Sequence, residues 1–147
     1  MPSLSAIARV AALGPGAWNR MARTAVVSRR IERSLQSETL DATARRFGAT
    51  LSFDPPASFA TEASLSEREK ANLGVALAVL RKSSLNGTCL RRALVMSDIL
   101  RDRTPILRVG VAKADGAVMA HAWIEVDGYA FDPMDDRDFI PLRRPES

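Results

Sequence analysis

A chain of 147 residues suits one domain of ordinary size and is long enough to bury a core. Hydrophobic content of 46% and charged content of 26% exclude a disordered chain, and a single Cys excludes an internal disulfide, so the fold does not depend on an oxidising compartment. One Cys and one His also exclude a structural zinc site built from nitrogen and sulfur ligands.

Net charge is +4, carried by 18 Arg and only 3 Lys. Heavy use of Arg and Ala accords with a GC-rich coding sequence. A functional reading is a surface for nucleic acid or an acidic peptide. The charges are spread along helices, and no aromatic residues interleave with the Arg clusters as a base-stacking platform needs, so nucleic acid is not expected as a partner.

In chain order, residues 1–18 are mildly apolar but lack an early basic region, and Gly14-Pro15-Gly16 interrupts them. This is too short for a membrane span and poor as a secretory signal, which predicts a short N-terminal helix in a cytoplasmic protein. Residues 19–47 read as helix. Val26, Val27, Ile31 and Leu35 form an apolar stripe, with Arg29, Arg30 and Arg33 beside it. The stripe fades near Ser37, which allows two helices, and Gly48 is a helix stop. Pro55-Pro56 forbids helix, so residues 49–63 read as an extended linker.

Ser66 with Glu69 three residues on is a capping signature for a helix whose buried face is Leu73, Ala76, Leu77 and Leu80. Asn86 and Gly87 mark a turn. A further helix opens near Cys89 and runs to about Asp102, with Cys89, Ala93, Met96 and Leu100 on one side. Arg91, Asp98 and Asp102 form a solvated stripe on the other. Three β runs follow, joined by Asp115-Gly116 and Asp127-Gly128, both hairpin signals. The order predicts an α+β fold: a helical region over 1–48, the linker over 49–63, a core over 64–142 and a loose tail over 143–147, forming one compact domain. There is no internal repeat.

The chemistry concentrates on the lone Cys and the lone His. If Asp127-Gly128 is a two-residue turn, Val126 pairs with Tyr129 and Trp123 with Asp132. His121, Trp123 and Asp132 then share a face, while Asp135 points to the other. The preceding hairpin sets Gly110 opposite His121, leaving space beside the imidazole. Cys89 opens a helix, whose terminal partial charge and free N–H groups favour a thiolate. An imidazolium nearby favours it further, and a carboxylate orients the imidazole. Cys89, His121 and Asp132 are thus candidates for nucleophile, base and orienting acid. The Cys89 N–H is one candidate oxyanion donor; Asn86, Thr88 and Ser83 are candidates for the second. Trp123 would wall the cleft, and Arg92, with Arg91, would meet acids on a substrate or partner. A buried Cys is also ordinary core filler, and a strand His is often structural.

At these residues the chain resembles the leader peptidases of lasso-peptide biosynthesis, bacterial B-type proteins with a transglutaminase-like, papain-like cysteine-protease fold. The likeness runs over residues 84–133: a Cys-Leu-x-Arg helix ending in Leu-Arg, a strand with Gly-Val, then Ala-His-Ala-Trp, an acid, Asp-Gly and a closing Asp. Cys89, His121 and Asp132 fall on that family's catalytic positions. Ala93 stands where the family often has Ser, and no Gly precedes the Pro of "RDRTPIL". The resemblance implies removal of the leader region from a ribosomal precursor peptide, with the freed amine passing to a separate lasso cyclase. It also implies a separate leader-recognition protein, because residues 1–48 lack the strands of a fused one. No metal, cofactor or nucleotide site is expected.

Two other readings differ in class. Transfer of the acyl group to an amine would make the chain a transamidase, told apart by product mass. A basic interaction protein with Cys89 and His121 in its core would be told apart by a thiol inert to iodoacetamide. Nucleic-acid binding would show as affinity lost steeply with salt.

Overall fold

The structure, a computed structural model, describes residues 12, 14–54, 60, 62–81, 88–114, 116–131 and 140–141. Apart from residue 12, the expected short N-terminal helix lies outside them, as do the Pro55-Pro56 segment and the C-terminal tail.

Helix α1 (Pro15–Ser37) begins four residues before the expected start. Pro15 serves at its first turn, where a missing N–H leaves no bond unmade. Thr24, Val27, Ser28, Ile31 and Ser34 form its buried face at helical spacing. The three hydroxyls there are satisfied locally: Thr24 Oγ1 donates to the Arg20 carbonyl at 2.9 Å, Ser28 Oγ to the Thr24 carbonyl at 2.8 Å and Ser34 Oγ to Glu38 Oε2 at 2.7 Å. Val26, expected on the apolar stripe, is instead 57% exposed. One residue's turn of about 100° carries it from Val27's inward side to the outer side. The chain breaks after Ser37, and Thr39 caps α2 (Leu40–Arg46) by accepting the Ala42 N–H at 3.2 Å. Gly48 then takes φ +85°, the left-handed turn that ends the helical region.

Thr50–Ser52, expected within a linker, form strand β1, so part of that stretch belongs to the sheet. Its backbone pairs in parallel with β2, which supplies the bonds an exposed extended segment would lack. Helix α3 (Glu67–Leu80) carries the full capping box: the Ser66 N–H donates to Glu69 Oε2 at 2.7 Å and the Glu69 N–H to Ser66 Oγ at 3.2 Å. Helix α4 (Cys89–Ile99) ends in a 3₁₀ turn, Arg101–Arg103.

Strands β2 (Ile106–Ala114), β3 (Ala117–Val126) and β4 (Tyr129–Phe131) form antiparallel hairpins, and β5 (Ile140–Pro141) returns to β2. The sheet order is β1-β2-β3-β4; β5 pairs Gly110 and Val111, further along β2 than the Ile106–Arg108 stretch that pairs β1. Asp127 and Gly128 both have positive φ (50° and 77°), as a two-residue hairpin turn of type I′ demands. The observed ladder pairs Val126 with Tyr129 and Gly110 with His121. The fold is α+β.

One core cluster joins α1, α2, α3 and α4 to the sheet. Val27, Ile31, Ala44, Phe47, Leu73, Leu80, Leu94 and Val95 meet Leu107, Ile124 and Val126 there. Because faces alternate along a strand, Ile124 and Val126 turn to the helices while His121, Trp123 and Glu125 turn to the other face.

Candidate active site

Cys89 is a free, half-buried thiol at the first position of α4. Thr88 is the cap: its Oγ1 accepts the Arg91 N–H at 3.4 Å, and its carbonyl accepts the Arg92 N–H at 2.9 Å. The N–H groups of Cys89 and Leu90 belong to that first turn, where the helix itself offers no acceptor. Leu90 was not singled out from sequence. The position of the cap, once located, is the signal for it.

Arg91 does not face water as expected. Its Nε donates to Glu32 Oε2 at 2.6 Å and its Nη1 to Thr88 Oγ1 at 3.3 Å. Asp98, also expected on a solvated stripe, is 9% exposed and holds Arg101 at 2.6 Å and Arg23 at 3.7 Å. The reason is tertiary: α1 packs on α4 and covers the Arg91 and Asp98 part of that stripe, while Asp102 stays exposed as expected. Arg92 is half-buried.

His121 is 2% exposed in β3, directly opposite Gly110. Its imidazole stacks on the indole of Trp123, with centroids 5.9 Å apart and planes 18° from parallel. The indole Nε1–H donates to Glu125 Oε1 at 3.4 Å, and Glu125 Oε2 accepts from Arg108 Nε at 3.0 Å. Arg108 Nη1 reaches β1, donating to Ser52 Oγ at 2.9 Å and to the Asp54 carbonyl. Arg108 and Glu125 are only 4% and 7% exposed. This buried polar layer was missed in the sequence, although its sign was there: His121, Trp123 and Glu125 at period two, with Arg108 in the adjoining strand.

Helix α4 packs on β3, so the elements that carry Cys89 and His121 adjoin, with His121 on the strand positions alternate to those that enter the helix-facing core. Asn86, Ser83, Asp132 and Asp135 lie outside the described residues. Among the described residues, a cavity of about 540 Å³ lies between α1, α3 and the C-terminal end of α4, lined by Arg20, Arg23, Glu69, Asn72, Val95 and Asp98 among others. It is at the opposite end of α4 from Cys89. Glu69 on its wall has its carboxyl held down to about 2, chiefly by the Arg103 guanidinium and then by the Ser66 N–H.

A helix opened by the lone Cys, packed on a strand carrying the lone His in a mostly antiparallel sheet, is one expected topology of a thiol acyl-transfer site. The family model for the transglutaminase-like superfamily matches residues 6–144, nearly the whole chain. The chain belongs to the transglutaminase-like superfamily. That superfamily includes cysteine peptidases and transglutaminases, and its members are generally enzymes of the cysteine-protease or acyltransferase kind. The match also takes the helical region before α3 into the transglutaminase-like unit, in keeping with the core that α1 shares with α4. No curated protein and no solved structure matches the chain. Among the described residues, no helix is long and apolar enough to cross a membrane.

Proposed function

We propose that this transglutaminase-like protein is a cysteine peptidase that removes the leader of a ribosomally made lasso precursor peptide. The observation that carries the reading is the placement of Cys89 on the first turn of a helix that packs on the His121 strand. Superfamily membership and the motif likeness over residues 84–133 support it.

In this reading the Cys89 thiolate attacks the scissile carbonyl and forms a C–S bond. The N–H groups of Cys89 and Leu90 receive the oxyanion. As the C–N bond breaks, His121 gives its proton to the leaving amine, the new N-terminus of the core peptide. Water then attacks the thioester as His121 takes its proton, the C–S bond breaks to return the Cys89 thiolate, and the leader departs as a carboxylate. Asp132, which the sequence register sets opposite Trp123, is assigned to orient His121. A separate recognition protein presents the leader, and a cyclase consumes the freed core in a bacterial cytoplasm.

The test is mass spectrometry of a candidate precursor incubated with the protein and its recognition partner, beside Cys89→Ala. Free leader and core from wild type alone are expected. An amine adduct of the acyl fragment would instead identify a transamidase. An intact precursor with a thiol inert to iodoacetamide would overturn the enzyme reading. Bridging of Cys89 to His121 by a short bifunctional alkylator such as 1,3-dibromoacetone tests the pair directly.

A further inference from the structure

A buried Arg–carboxylate pair is an expensive way to fill a sheet face. Two desolvated charges seldom recover their hydration in full, and apolar residues of similar volume often serve stability as well or better. Arg108 and Glu125 nevertheless occupy the face that carries His121, and both carboxylate oxygens of Glu125 are engaged. One oxygen takes the Arg108 Nε–H and the other takes the indole N–H of Trp123. Arg108 is itself tied to β1 through Ser52 and the Asp54 carbonyl. The indole, fixed by its N–H at one end, lies stacked on the imidazole at the other.

We propose that Glu125, held by Arg108, is a positioning residue that sets the plane of the His121 ring through the indole of Trp123. The inference rests on the peptidase reading. A strand residue can turn about its side-chain torsions, and a stacked neighbour limits that turn only if it is itself held. Glu125 and Arg108 do the holding without touching the imidazole. They convert a sheet register into a ring orientation, the kind of support that catalytic geometry needs within about 0.5 Å.

Two variants isolate the bond that matters. Arg108→Met/Glu125→Leu removes the charges and the acceptor for the indole. Arg108→Met/Glu125→Gln removes the charges but keeps a carbonyl there. The lone Cys and lone His make both readouts unambiguous: the iodoacetamide rate of Cys89 near neutral pH, and the imidazole resonances of His121. The Leu form is expected to alkylate about tenfold more slowly than wild type, with shifted or broadened imidazole signals, and the Gln form about threefold more slowly, with signals between the two, because the acceptor stays while Arg108 no longer holds it. Should the Leu form not fold, Trp123→Phe keeps an aromatic ring, loses the donor, and is expected to show the same slowing.

A purely structural pair predicts that the Leu and Gln forms behave alike in both readouts, and that result would overturn the proposal. The peptidase reading fails separately. If His121→Ala alkylates as fast as wild type, the thiol is not activated by the imidazole, yet the signals of the two double variants still decide whether Glu125 holds the ring.

Discussion

Arg91, two residues after Cys89, donates through Nε to Glu32 Oε2 at 2.6 Å and so ties the start of α4 to the C-terminal third of α1. The bond crosses 59 residues of chain and makes the N-terminal helix part of the frame around the candidate nucleophile. Its guanidinium also reaches Thr88 Oγ1, the cap of that same helix.

Glu32→Ala should therefore cost about 1 kcal/mol, since Arg91 is mostly buried while Glu32 is partly screened by water. For a chain of this size that lowers Tm by about 3 °C, which calorimetry would read. An unchanged Tm together with wild-type alkylation of Cys89 would show that the tie is incidental.

Catalytic substitutions should separate activity from folding. Cys89→Ala and His121→Ala are expected to lower leader cleavage about 10³-fold or more while leaving Tm within a few degrees. Asp132→Asn should lose less, because an orienting group acts through its neighbour. Product mass and circular dichroism on the same samples check both halves, and full cleavage by Cys89→Ala would end the mechanism.

Gly48 should not accept a side chain. Its φ is +85°, and a Cβ there would lie 2.5 Å from Arg101 Cβ and 3.1 Å from Arg101 Cα. Part of that obstacle is backbone, so rotation of a side chain cannot relieve it. Gly48→Ala is expected to destabilise the fold by about 2 kcal/mol or more in urea titration, combining left-handed strain with overpacking.

Acid should remove one specific support. The Glu69 carboxyl is held down from 4.5 to about 2, mainly by Arg103. A depressed carboxylate stabilises the fold above its unfolded value, and that contribution disappears as pH falls from about 4.5 towards 2. The stability gap between wild type and Glu69→Gln should thus be full at pH 6 and close at about pH 2. Urea midpoints at several pH values would test it, and a gap independent of pH would refute the assignment.

The local chemistry of the chain determined much by itself. Ser66 and Glu69 specified the start of α3, Asp127-Gly128 specified a type I′ hairpin, and that hairpin's register followed by counting residues. Such features are legible because each depends on bonds among residues a few positions apart. The likeness around Cys89 and His121 was legible for the same reason, being carried by short runs of sequence.

Only the tertiary structure decided what covers those elements. Thr50–Ser52 became a strand because β2 offered an open edge, which nothing within that stretch announces. Arg91 and Asp98 looked solvated on a helical wheel, and the packing of α1 enclosed them. The layer of Arg108, Glu125 and Trp123 beside His121 needs two strands in register and a third to anchor the guanidinium. Burial of a polar group is a property of everything packed around it, and that is settled by long-range contacts rather than by the spacing of residues along one segment.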